Sequence, residues 1–198
     1  MKSSLYKLLI LFFTLNICIY AENLHKEQYF PENLFSKYKE EYYSDFFDIF
    51  DSNSLMSLKE GQNEIRFSCI DSMTVSYIIK VDWTKHSRNM ELIVENNPVK
   101  RIKLKITKSE LNELLKLLSK CDFYNQDSQK IITGARDGAD YILETNIEGK
   151  YKVVSRWGPP YEDFMFNIHE FLVKKAGGQA VIISEGKRTW DSMEWIEE

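Results

Sequence analysis

The stretch from Gly134 to Pro160, GARDGADYILETNIEGKYKVVSRWGPP, decides the fold. Tyr141, Leu143 and Thr145 alternate with Ile142 and Glu144. Tyr151, Val153 and Ser155 then alternate with Lys152, Val154 and Arg156. A period of two is that of a β-strand, whose successive side chains point to opposite faces. Glu148-Gly149 between the two runs supplies turn chemistry, so the stretch predicts a β-hairpin. Pro159-Pro160 ends the second strand, because proline has no N–H to give a ladder.

Upstream, the same alternation recurs. Ile65, Phe67 and Cys69 alternate with Arg66 and Ser68. Val75, Tyr77, Ile79 and Val81 repeat the pattern, and Met90 to Glu95 gives a third strand. Asn96-Asn97-Pro98 signals a turn. In Val99 to Ile106, Ile102, Leu104 and Ile106 face one way and Arg101, Lys103 and Lys105 the other. The basic row fits a solvated or charge-guarded edge better than an anion site.

Helices flank the strands. Thr107-Lys108-Ser109-Glu110 is a capping box, followed by Leu111, Leu114, Leu115 and Leu118 on one face, which predicts a helix to about Lys120. Cys121 to Thr133 reads as a polar connection. Phe164, Ile168, Phe171 and Leu172 predict another helix, stopped by Gly177-Gly178. Pro31 and the aromatic stripe Leu34, Tyr38, Tyr42 and Phe46 predict a helix over about 31–50. Ala180 to Ser184 is a short strand candidate, followed by a tail with two tryptophans. Consecutive strands on short links pair antiparallel. The expectation is an α+β fold: a mainly antiparallel sheet of about six strands, with two or three helices packed on one face.

The first 21 residues read as a secretory signal peptide. Lys2 and Lys7 form a basic start, Leu8 to Ile19 an apolar run, and Ala21 a small residue at a cut. The run is short of the ~20 residues that span a bilayer. An uncleaved anchor is the other reading, and a lipid on Cys18 a lesser one, since Ile17 stands where a small residue is wanted. The organisation is thus signal peptide 1–21, N-terminal helical segment 22–62, α+β domain 63–178 and C-terminal tail 179–198. Loss of Lys2 and Lys7 takes the net charge from −4 to −6. That balance disfavours nucleic acid, and leaves membrane contact only to the signal segment if it is uncleaved. Export to a periplasmic or extracellular space would allow Cys69 and Cys121 to form a disulfide. Two buried thiols are the alternative.

No catalytic constellation emerges. His25, His86 and His169 are isolated, with no HExxH and no CxxC, so neither a metal nor a cofactor is called for. There is no GxSxG, and neither Cys69 nor Cys121 has a neighbouring histidine. The Gly-rich GARDGAD leads into a strand and not a helix, unlike a phosphate loop. Its Asp137 and Asp140 fit turn formation better than a calcium loop. The candidate binding surface is Asp137, Asp140, Arg156 and Trp157: an arginine that stacks and binds carboxylates, at a strand end beside two aspartates. Against it stands a structural arrangement in which Trp157 plugs the core and Arg156 pairs with Glu144.

The stretch resembles a family of uncharacterised bacterial exported proteins. These carry D-G-A-x-W-x-L-E, a Gly turn, Y-x-V-V-x-R-W-x-P and a closing helix. The matching residues are Asp137, Gly138, Ala139, Leu143, Glu144, Gly149, Tyr151, Val153, Val154, Arg156, Trp157 and Pro159. Glu64-Ile65-Arg66-Phe67 is similar to the family's opening strand, and Leu111 to Phe123 to its helix and following turn. Tyr141 stands where Trp is usual, and Gly158 where Ser is common. The resemblance covers about 63–173 and implies an exported domain with no assigned catalytic residue. Three readings remain open: an exported, non-enzymatic binding or envelope-associated module with an unknown partner; an inhibitor or immunity-like protein that neutralises a basic protein; and a hydrolase whose site is assembled from distant residues.

Overall fold

A computed structural model describes residues 29–71, 75–130, 139–159 and 163–178. The signal segment, Asp137, the strand candidate at 180–184 and the tail lie outside the described residues. In chain order the elements are helix α1 (Lys37–Ile49), strands β1 (Asn63–Ile70), β2 (Tyr77–Trp83), β3 (Arg88–Val94) and β4 (Lys100–Leu104), and helix α2 (Lys108–Lys120). These are followed by β5 (Gln129–Lys130), β6 (Asp140–Ile147), β7 (Lys150–Trp157) and helix α3 (Phe164–Lys175).

The seven strands form one sheet in the order β4-β3-β2-β1-β6-β7-β5. All neighbours pair antiparallel except β5, which runs parallel to β7 through Gln129↔Ser155 and Lys130↔Arg156. The fold is therefore α+β with a mainly antiparallel sheet. The seventh strand, β5, is two residues inside the stretch read as a polar connection. It is held from outside, by Ser155 N–H donating to the Ser128 carbonyl at 2.8 Å.

One sheet face is apolar. Ile65, Phe67, Ile79, Val81, Leu92, Leu143 and Val154 point into a core closed by α2 and α3. Their partners include Leu111, Leu114 and Leu118 of α2 and Met165, Ile168 and Leu172 of α3. The capping box forms as the sequence predicts: Glu110 N–H donates to Thr107 Oγ1 at 3.2 Å, and Thr107 N–H to Glu110 Oε2 at 2.8 Å.

The opposite face is covered by the N-terminal segment. Phe30, Phe35, Tyr43, Phe46, Phe47 and Phe50 pack on Ile70, Ile78, Ile93, Ile142 and Val153. Tyr29 stacks on Phe47 with ring centroids 4.2 Å apart. Two helices thus share one face, and the third makes a second layer on the other side. That helix starts at Lys37, not near Pro31. Asn33 has φ 62, which breaks a helix, and Ser36 caps the new start by accepting from Lys39 N–H.

Candidate functional site

Strand register sets the site. Asp140 and Trp157 are cross-strand partners at the β6–β7 end, so their side chains leave the same face of the sheet. That face meets α1. Between helix and sheet lies a cleft of about 670 Å³. Tyr38, Lys39 and Tyr42 of α1 form one wall, and Asp140, Ser155 and Trp157 the other. Gln129 and Lys130 of the short strand β5 and Ile70 of β1 complete it.

The polar centre of the cleft is Asp140. It is 5% exposed, and its Oδ1 has no hydrogen-bond partner. The nearest opposite charge is Lys39 Nζ, 3.6 Å from Oδ1, which lies 5.8 Å from the Tyr43 ring centre. Burial pushes the Asp140 carboxyl above its ordinary value, and Lys39 and Tyr43 pull it partly back. Next to it, the Tyr43 hydroxyl and Ser155 Oγ share a hydrogen bond of 3.2 Å. Tyr38 and Tyr42 are 77% and 41% exposed. They are one helical turn apart, so they line the wall as a row.

Arg156 does not belong to this cleft. Alternation sends it to the other face, where it is buried beneath the start of α3. Its Nη1 donates to the carbonyls of Asp127 and Ser155, both at 2.9 Å, and its Nε lies 3.7 Å from Asp163 Oδ2. The guanidinium sits over the Phe164 ring, 5.6 Å from its centre. Of the four candidate residues, the structure brings Asp140 and Trp157 together, turns Arg156 away, and does not describe Asp137. The pairing of Arg156 with Glu144 does not form, and it is Trp157 that is half-buried at the cleft while Arg156 is enclosed.

Glu144 instead belongs to a buried network under Tyr29. Arg66 Nη2 and Nε donate to Glu64 Oε1 at 2.8 and 3.1 Å, and Nη1 to the Asn53 carbonyl at 2.9 Å. Arg66 also donates to the Tyr29 hydroxyl, and its Nη1 lies 3.9 Å from Glu144 Oε2. Tyr151 and Tyr29 donate to the two oxygens of Glu144 at 3.0 and 3.3 Å. Lys80 Nζ lies 3.3 Å from Glu64. Burial pushes Glu144 up to about 7, against the pull of Arg66. The network escapes sequence reading because Glu64, Arg66 and Glu144 occupy the polar positions of alternating strands.

Other titratable groups are held by the core. His169 is pushed down to about 4 by burial, and bonds the Tyr77 hydroxyl. Cys69 and Cys121 are free thiols, so the disulfide is not formed. Cys69 faces the apolar core, and burial pushes it up to about 12. Cys121 sits at the end of α2, its thiol on the Leu118 carbonyl. Among the described residues, no group of three His, Cys, Asp or Glu is placed to hold a metal ion, and no helix is long and apolar enough to cross a membrane. No protein-family model matches this chain, and no curated protein matches it.

Proposed function

We propose that this protein is an exported, non-enzymatic, envelope-associated binding module whose ligand enters the cleft between α1 and the β6–β7 end. The observation that carries the reading is Asp140: a desolvated carboxylate in the lining of a cleft walled by aromatic residues, with one enclosed oxygen that no hydrogen bond satisfies. Buried polar atoms without partners cost about 1–3 kcal/mol. A cleft that keeps such a group in its lining is organised for a polar ligand, and few convergent polar groups in an apolar cleft is how small-ligand sites are built. Export is supported by the signal-like start and by the resemblance to exported proteins of unknown role.

Binding is favoured over hydrolysis by the lining. Asp140 is the one carboxylate among the described residues of the cleft, whereas acid–base hydrolysis by carboxylates uses two. The Ser155 hydroxyl is buried and engaged with Tyr43, not with a general base.

A fragment screen by amide and indole NMR on the purified protein tests the reading. Hits that shift Lys39, Tyr42 and the Trp157 indole together, and lose their effect in Asp140→Asn, are the expected result. A diverse library whose hits all map away from these residues would overturn it.

A further inference from the structure

The chemistry of the lining narrows the ligand class. Asp140 and Lys39 already balance each other at 3.6 Å. Lys130, exposed at the rim, adds a second positive charge. An incoming cation would face two lysines and compete with Lys39 for the carboxylate. An incoming anion would sit against a carboxylate that is already poorly solvated. A neutral ligand avoids both penalties.

The polar groups also specify what the neutral ligand carries. An ionised carboxylate only accepts hydrogen bonds, and an ammonium only donates them. A hydroxyl does both. A pair of adjacent hydroxyls therefore gives one O–H to the Asp140 carboxylate and accepts from Lys39 Nζ, and the Gln129 amide offers a further donor and acceptor. Tyr38, Tyr42 and Trp157 line the cleft, and the face of an aromatic ring carries a negative quadrupole that attracts the polarised C–H groups of a saturated ring. A polyhydroxylated ring with an apolar face matches both halves of this lining.

We propose that the cleft binds a neutral carbohydrate, with Trp157 and Tyr42 stacking a sugar ring and the Asp140–Lys39 pair bridged by two of its hydroxyls. The inference rests on the cleft being the ligand site, as proposed above, and adds the ligand class. A volume of about 670 Å³ lies in the range of small-ligand sites and accommodates a segment of an oligosaccharide.

The test titrates the purified protein with three neutral oligosaccharides, the hexamers of β-1,4-glucose, α-1,4-glucose and β-1,4-N-acetylglucosamine. Benzylammonium and benzoate serve as cationic and anionic aromatic probes. Calorimetry gives affinity, and the Trp157 indole resonance reports the place. Saturable binding of at least one oligosaccharide that shifts the Trp157 indole is expected. Asp140→Asn and Tyr42→Ala should each weaken it about tenfold or more. Tyr42 is exposed, so its variant folds even if the buried Asp140 replacement does not. If only benzylammonium or benzoate shifts the Trp157 indole, the carbohydrate assignment fails while the cleft stands as a binding site. If no probe reaches the cleft, both fail. Sugar affinity unchanged in the Tyr42 variant would also overturn the inference, since the sugar would then bind elsewhere.

Discussion

Arg66 and Glu144 stand opposite each other across the β1–β6 ladder, sealed from water by Tyr29. Glu64 holds the other side of the same guanidinium. The sheet face therefore carries two carboxylates and one full cation in its interior, with the partly exposed Lys80 of the neighbouring strand β2 reaching Glu64. Removing one partner of such a group strands the others, at a cost of about 3–5 kcal/mol, whereas replacing the whole group by neutral residues of similar volume is far milder. Arg66→Met is expected to lower unfolding free energy by that amount in urea melts. The triple change Arg66→Met, Glu64→Gln, Glu144→Gln should recover most of it. A single variant that loses under about 1 kcal/mol would show that the network is not as dry as its geometry.

The same burial sets opposed pH responses. Glu144 rises from an ordinary 4.5 to about 7, so the folded state takes up protons where the unfolded state does not. Its contribution is fully present below about 4.5 and is lost as pH climbs to 7. His169 falls from 6.5 to about 4, so the unfolded state protonates first. Its contribution is present above about 6.5 and is lost as pH falls to 4. Each acts with a slope of up to about 1.4 kcal/mol per pH unit. Between about 4.5 and 6.5 the two nearly cancel. Relative to the native chain, Glu144→Gln should gain stability as pH rises through that window, and His169→Phe should lose it. Thermal melts at half-unit pH steps read both curves, and two slopes of the same sign would refute the assignment.

What the sequence made legible follows physical locality. The strands show because alternation is local, and α2 because a capping box and a leucine face lie within four turns. β5 is hidden because two residues have no period, and its pairing with β7 joins residues 26 apart in the chain. The polar face of β1 and β6 misleads for a different reason. Arg66, Ser68 and Glu144 look water-facing until a second layer is known to lie over them. The clue was the density of aromatics in α1 and at its C-terminal cap, since Tyr43, Phe46, Phe47 and Phe50 exceed what an exposed helix carries and require a sheet face to bury them. The cleft was half legible. Asp140 and Trp157 are near in sequence, but Lys39 and Tyr42 reach them only through α1 packing, which no spacing encodes. Arg156 misled because a basic residue at a strand end usually meets water, and here the cap of α3 closes over it.

The exchange of roles between Arg156 and Trp157 is measurable. Arg156 is 2% exposed and donates to two carbonyls, so Arg156→Ala leaves the Asp127 and Ser155 carbonyls and the Asp163 carboxylate short of partners. Each stranded polar group costs about 1–3 kcal/mol. Trp157 is half-buried, and its truncation falls below the ~3–5 kcal/mol of a fully enclosed aromatic ring. Arg156→Ala should therefore lower the denaturation midpoint more than Trp157→Ala. The reverse order would mean that Trp157 is a core residue and not a cleft wall.

The hairpin that organises the sheet contains one unfavourable residue. β6 and β7 join through Glu148 and Gly149, with φ of 53 and 76. A two-residue turn with both φ positive matches the right-handed twist of the strands, and Asn-Gly is the pair it favours. Glycine adopts this region freely, but glutamate pays the left-handed cost of about 1–2 kcal/mol, which asparagine partly escapes. Glu148 N–H donates to Asn63 Oδ1 at 2.8 Å, and because this is a main-chain group the bond survives any side-chain change except proline. Glu148 is exposed, so its carboxylate does no packing. Glu148→Asn is therefore expected to stabilise the protein by about 0.5–1 kcal/mol, while Gly149→Ala, which puts a Cβ on the second left-handed residue, destabilises it by about 1–2 kcal/mol. Chemical denaturation of the two variants side by side checks the opposite signs. Stabilisation by Gly149→Ala would mean that the turn adopts another conformation in solution.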